Sequence, residues 1–338
     1  LIASIWLESG RQITVSLAVY GHLIGEMASA VFTVFCLGFF PPCKDGDSRR
    51  APAIPLSFGA TAAPLMALAL PLMGNRLILN VLGSAEAIWI PRLMSSGLTN
   101  SEALSVYGVL TSMALPFILF PSAITNSMAV LLLPTVAEAQ ADGNEARISS
   151  MISMSLRYSC YMGVLCIGIF TIFGNQLGVS VFHDQNAGTY ITILSWLCPF
   201  MYLATTMGSI LNGLGRTSST FFQNVFAMVI RLAFVLFAIP RYGILGYLWG
   251  MLVSELALAL MSFLAVKRLV PFCWDTVNMI VKPVLLLLIS IGMYLAFSQS
   301  CFWLKELPLF IMTAVQILFL SFSYMGLLLL FHKKRPLP

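Results

Sequence analysis

The chain has 338 residues, 59% of them hydrophobic and 9% charged, with a formal net charge of +5. Soluble domains carry about 25% charged residues, so a chain this apolar cannot cover a water-facing surface. The basic residues sit in short loops between apolar runs and build no basic face, which excludes a nucleic-acid partner and leaves a polytopic membrane protein in contact with membrane lipids.

The chain starts at Leu1, with neither methionine nor a basic-then-apolar leader, and runs almost at once into an apolar stretch. That start is expected of a fragment lacking its N-terminus. About 20 apolar residues span a bilayer. Nine stretches qualify: 13–40, 55–83, 104–134, 155–178, 187–211, 218–240, 243–266, 277–298 and 307–331. All must be helical, because in lipid a segment has to satisfy its own backbone groups. The only long polar linker is 41–54, headed by Pro41 and Pro42, and it divides two bundles.

In 13–40, His22, Glu26, Ser29 and Thr33 follow i, i+4, i+7, i+11, one face of a helix. Span 55–83 carries Arg76 and Asn80 at i, i+4. At 1.5 Å per residue it is about 43 Å long, more than a bilayer core of about 30 Å needs, and Pro64 and Pro71 make a kink inexpensive. Span 104–134 is over-long in the same way and holds Pro116 and Pro121. The loop residues Glu138, Asp142 and Glu145 read as a solvated turn. The turn Asn212–Thr217 lacks the order of a phosphate loop. Gly213 and Gly215 ending one helix, then Thr217 or Ser218 capping the next, explain it. In 218–240, Asn224 and Arg231 share a face, and Glu255 sits near the middle of 243–266. Trp89, Trp249 and Trp303 lie near span ends, as interfacial anchors do.

Placing loop 41–54 in the cytoplasm puts twelve basic residues on that side, among them Arg147, Arg157, Arg216, Lys267, Arg268 and Lys282. Only Arg11, Arg92, Arg241 and Lys305 fall on the other side. Nine spans then begin outside and end inside, with the C-terminus cytoplasmic. Arg76 and Arg231 remain inside spans.

A charge at mid-bilayer costs roughly 2.5–3.5 kcal/mol on insertion scales, so such residues tend to face a cavity. One reading is a wet central cavity with two cations for an anionic substrate, and Glu26 and Glu255 as ion or proton sites. The other is structural pairing between helices, Arg76 with Glu26 or Arg231 with Glu255. Both stand at this point. The seven cysteines are scattered without a CxxC pair, and the three histidines lie far apart, so they read as filler and no metal site is expected. No catalytic motif occurs and the loops are short; an enzyme is not expected, nor is any cofactor.

The ordered set Gly74-Asn75-Arg76-Leu77, Ala85-Glu86-Ala87-Ile88-Trp89-Ile90-Pro91-Arg92-Leu93, Tyr107-Gly108, Met113-Ala114-Leu115-Pro116, Phe120-Pro121-Ser122-Ala123 and Leu132-Leu133-Pro134-Thr135 resembles the stage V sporulation protein B branch of polysaccharide exporters. Ile210–Thr217 and Gly243–Tyr247 are similar to later landmarks of that family. The branch belongs with the lipid II flippases and the multidrug extruders in one exporter superfamily.

The resemblance implies an all-α fold of fourteen helices, two pseudo-symmetric six-helix lobes plus a C-terminal pair, of which this chain holds about nine. Residues 1–40 then end the first lobe, 41–54 are the cytoplasmic linker, 55–266 are the second lobe, and 267–338 are the extra pair and a basic tail. It further implies a flippase that moves undecaprenyl-linked polysaccharide or peptidoglycan precursors across the bacterial plasma membrane by alternating access, in cell-wall biogenesis or sporulation. The expected partner is the lipid-linked oligosaccharide, and the protein is expected to be monomeric once complete with its N-terminal lobe. Arg76 is placed at the pyrophosphate, with Asn80, Arg231 and Asn224 as further substrate-binding candidates. The alternative is a multidrug or small-solute cation antiporter of the same fold, in which Glu26 and Glu255 dominate.

Overall fold

The computed structural model describes residues 15–39, 58–94, 97, 99–272, 274–300 and 308–331. The linker 41–54, Trp303 and the basic tail after Phe331 lie outside them. The chain divides into two units, 1–58 and 59–338. In the first, α1 (Val15–Phe39) is a 25-residue apolar helix, about 37 Å long and so long enough for a bilayer. The Thr33 hydroxyl donates to the Ser29 carbonyl at 2.9 Å, so this part of its polar face is consumed within the helix.

In the second unit the order is α2 (Phe58–Met94), α3 (Asn100–Val109), a π turn (Leu110–Ala114), α4 (Leu115–Leu119), α5 (Ser122–Ala141), α6 (Glu145–Phe182), α7 (Gln185–Leu194), α8 (Leu197–Gly213), α9 (Thr217–Phe237), α10 (Ile239–Tyr242), α11 (Ile244–Leu269), a second π turn (Val277–Val281), α12 (Lys282–Ser300) and α13 (Leu309–Phe331). No strand occurs among the described residues. The molecule is a polytopic transmembrane helical bundle. Leu, Ile, Phe and Met side chains remain exposed on almost every helix, an apolar surface suited to lipid.

Both π turns precede a proline. Pro116 and Pro283 lack an N–H, and their rings would strike the carbonyls of Ser112 and Met279 in a regular helix. The widened turns at 110–114 and 277–281 hold those two carbonyls and relieve the clash. The regular α-helix is therefore interrupted ahead of Pro116 and again at Pro121, and 104–134 is not one continuous helix.

Eight helical stretches among the described residues are long and apolar enough to cross a membrane, and α7 with α8, bent by 52°, makes a ninth. Two of the eight, Asn100–Leu119 and Ser122–Ala141, are separated by a two-residue break and pack in line along one bent pair. The first π turn and α4 lie on α7, and α5 lies on α8, in the same chain order. Ser209 of α8 donates to the Ala129 carbonyl, and a Cβ at Gly213 would stand 2.8 Å from the Leu133 carbonyl. Partner positions advance together along both strands of this contact, which a helical hairpin at 120–121 would reverse. With the two pieces joined, the second unit holds eight crossings and α1 is a ninth span-length helix.

Helix α6 is 38 residues and about 57 Å long, against the 155–178 expected for that span. Arg157, expected near a membrane surface, lies 12 residues inside it. Asn144 caps its start, accepting from the Arg147 N–H at 2.9 Å, and His183 ends it in the left-handed region at φ 56°. The α5–α6 turn is solvated as expected, with Arg147 paired to Glu138 (3.6 Å) and Asp142 (4.0 Å). At the α8–α9 turn, Gly215 takes φ 73°, but the N-cap is Arg216, with no side-chain cap. Thr217 and Ser218 are already inside α9.

Three apolar clusters hold the second unit together, one of them, Leu165, Leu286, Leu287, Tyr324 and Leu328, packing α12 and α13 on α6. Two others are larger. One gathers Ile90, Ile118, Phe173, Leu194, Tyr202 and Leu248. The other gathers Val136, Ile152, Leu156, Met207, Leu211 and Val266 toward the opposite ends of the same helices. The four described cysteines, Cys36, Cys160, Cys166 and Cys198, are free thiols.

Candidate functional site

On α2 the inward face carries the half-buried Asn75 and the buried Leu82, Glu86 and Ile90, spaced 7, 4 and 4 as a helical face requires. Two contacts fix that face to the bundle. At Gly74 the Phe221 ring of α9 comes so close that a Cβ would stand 3.3 Å from it. Farther along, Glu86 Oε1 faces Arg231 Nε of α9 at 2.8 Å, and the Tyr247 hydroxyl of α11 donates to Glu86 Oε2 at 3.0 Å. The Arg231 N–H is not aimed along the line to the oxygen, so this is an ion pair rather than an aligned hydrogen bond.

The same arrangement opens a groove of about 540 Å³ between α2, α5, α8, α9 and α11. Arg76, exposed on α2, stands at its edge, and Asn224 of α9 and Glu255 of α11 line it. Of the residues lining the groove, Arg76 is the one cation and Glu255 the one anion. Several hydroxyls there are satisfied within the protein: Thr205 donates to Met201 O at 2.8 Å, Ser209 to Ala129 O, and Ser262 to Gln223 Oε1 at 2.9 Å. Three oxygens are not. Asn75 Oδ1, Asn212 Oδ1 and Thr220 Oγ1 are buried without a hydrogen-bond partner. Buried polar atoms normally have one, and the residues that carry these three line the groove.

Of the sequence candidates, the fold brings Arg76, Asn224 and Glu255 to one space. Asn80 does not line it; it is exposed on α2, its carbonyl accepting from the Ser84 hydroxyl at 2.9 Å. Arg231 does not line it either, because its guanidinium is committed to Glu86. The expected Arg231–Glu255 pair is thus replaced by Arg231–Glu86. Glu26 lies on α1 and is exposed there. Sequence reasoning placed Glu86 beyond the end of its span at residue 83, and α2 runs on to Met94. The repeat Asn75, Leu82, Glu86, Ile90 is the signal that could have found it.

No protein-family model matches the chain. It is similar to three proteins of Bacillus subtilis (strain 168). It is 22% identical to Stage V sporulation protein B over 79% of the chain and 52% of that protein. It is 24% identical to Sporulation protein YkvU over 55% of the chain and 43% of that protein, and 26% identical to "Probable multidrug resistance protein YoeA" over 51% and 40%. The chain spans about half the length of the curated relatives it matches. Among solved structures it superposes on an outward-facing multidrug resistance MATE family transporter of the MOP superfamily, with a TM-score of 0.53 at 17% identity over 79% of the chain and 64% of the other.

The fold is that of a MOP-superfamily transporter. A MOP superfamily transporter from Pyrococcus furiosus superposes equally well. The exporter-superfamily resemblance carried by the sequence motifs is matched by these relatives, and the protein is a multi-pass membrane protein.

Proposed function

We propose that the protein is a flippase for undecaprenyl-linked polysaccharide or peptidoglycan precursors in a bacterial plasma membrane, with its C-terminus in the cytoplasm. Residues 55–266 act as one lobe and 267–338 as an added helix pair. The observation that carries this reading is the convergence of Arg76, Glu255 and three unpartnered oxygens on one groove in an otherwise apolar bundle. A guanidinium grips phosphate oxygens two at a time, which suits a pyrophosphate head. Asn75, Asn212, Thr220 and Asn224 offer amide and hydroxyl partners to sugar hydroxyls. Glu255 faces the same space, so an entering anion gains affinity when that carboxylate takes a proton or a cation; occupancy by the two is linked. Arg231 serves by anchoring α2 through Glu86 and not by touching substrate.

The test uses the full-length protein expressed from its natural gene in a flippase-deficient strain. Arg76→Ala should abolish complementation at unchanged expression, and Arg76→Lys should restore part of it, because a point charge replaces a planar fork. Normal growth with Arg76→Ala overturns the reading. The position of Glu255 favours a second one, a small-solute cation antiporter. That reading predicts loss of ion-driven drug efflux with Glu255→Gln and tolerance of Arg76→Ala.

A further inference from the structure

A second cavity, of about 290 Å³, lies on a different flank of α8 and α11 from the groove. Helix α8 turns Phe200, Leu203 and Met207 toward it, and α11 turns Leu256, Phe263 and Lys267. The groove takes the other faces of the same helices, Ser209 and Asn212 on α8 and Glu255 and Ser262 on α11. Leu256 to Lys267 covers 11 residues, about 16 Å along the axis and close to half of a 30 Å bilayer core. The slot is therefore one leaflet deep. Its walls are apolar except at one end, where the exposed Lys267 stands in the last turn of α11 beside Arg268. Trp274 closes that end, its ring edge-on to Phe263 at 4.9 Å and its indole N–H donating to the Thr276 hydroxyl at 2.9 Å. Lys267 is the one cation among the residues lining the slot; Lys282, outside it, donates to the Phe331 carbonyl.

Water does not fill apolar cavities. A slot open to lipid, one leaflet deep, with an ammonium at the membrane surface, matches a single acyl chain whose head group is negative. We infer that this slot binds one anionic phospholipid, its chain between α8 and α11 and its phosphate at Lys267. The site is separate from the groove and does not rest on the transport reading.

The test reconstitutes the full-length protein in phosphatidylcholine vesicles containing increasing phosphatidylglycerol with acyl chains dibrominated close to the head group, at the depth of Trp274. Quenching of Trp274 is read as the difference between wild type and Trp274→Phe. Half-quenching is expected at about five-fold lower mole fraction than with dibrominated phosphatidylcholine, the preference that one basic residue confers. Lys267→Gln should bring the two lipids together, whereas Arg76→Ala should leave the preference intact. Equal quenching of the wild type by both lipids, or an undiminished preference in Lys267→Gln, overturns the proposal. Loss of the preference in Arg76→Ala would also overturn it, since the groove would then be the site observed.

Discussion

A carboxylate buried among apolar helices persists only with partners, and Glu86 has two. It is 6% exposed, paired to Arg231 at 2.8 Å and hydrogen-bonded by Tyr247 at 3.0 Å. Truncating one member leaves the other charge uncompensated, a cost of about 3–5 kcal/mol, whereas removing both is far less damaging. Glu86→Ala and Arg231→Ala should therefore each lower the thermal midpoint of the detergent-purified protein sharply. The double variant should fall well short of their sum, and additive losses would show that the two charges are not coupled. Arg231 was legible as a charge within a span, yet its partner was not. The sequence offers Glu255 at mid-helix as the obvious mate, and the choice of Glu86 depends on how α2, α9 and α11 cross. Arg76 and Glu255 were legible for the same reason as Arg231. That they share a groove while Asn80 does not is set by the rotation of α2, which Gly74 against Phe221 and Glu86 against Arg231 fix together.

At the scale of elements, the spans were readable because lipid demands long apolar helices; Pro116 and Pro121 marked interruptions of the regular helix, whereas α2 runs unbroken through Pro64 and Pro71. The two π turns were not readable, because an inserted residue leaves the apolar pattern almost unchanged. Close helix approach was hidden in the same way. On α6, Gly174 and Gly178 are four apart and face Thr192 and Gly188 of α7, so near that a Cβ on either would overlap the other helix. Such small-residue spacing lets backbones touch, and in lipid that packing supplies much of the association energy. Gly178→Val should separate α6 from α7 and destabilise the bundle by about 1–3 kcal/mol or more, read as a lower thermal midpoint. Gly292→Val is the matched control. Nothing lies within 4 Å of its Cβ position, so it should shift stability by no more than about 0.5 kcal/mol.

For the whole molecule, orientation depends on whether residues 100–141 cross the membrane once or twice. The loop charges fit the arrangement in which they cross once, twelve against four, but discriminate little, since two crossings give eleven against five. The packing of the first π turn, α4 and α5 along α7–α8 in matching order favours it independently. If 120–121 were the tip of a hairpin, Arg147, Arg216, Lys267 and every later charge would change sides. The two arrangements separate in a labelling experiment. In a background with all seven cysteines replaced, single cysteines would be introduced at the exposed positions Gly97, Asp142, Gln185 and Arg216 and treated with a membrane-impermeant thiol reagent on intact cells. Gly97→Cys and Gln185→Cys should label from outside, while Asp142→Cys and Arg216→Cys should label only after lysis. Equal labelling of Gly97→Cys and Asp142→Cys would mean that 100–141 returns to the side it started from. The nine-crossing arrangement would then fail. Lys267 would move to the outer leaflet with it, whereas the groove, whose walls are all drawn from one packed unit, would keep its shape in either orientation.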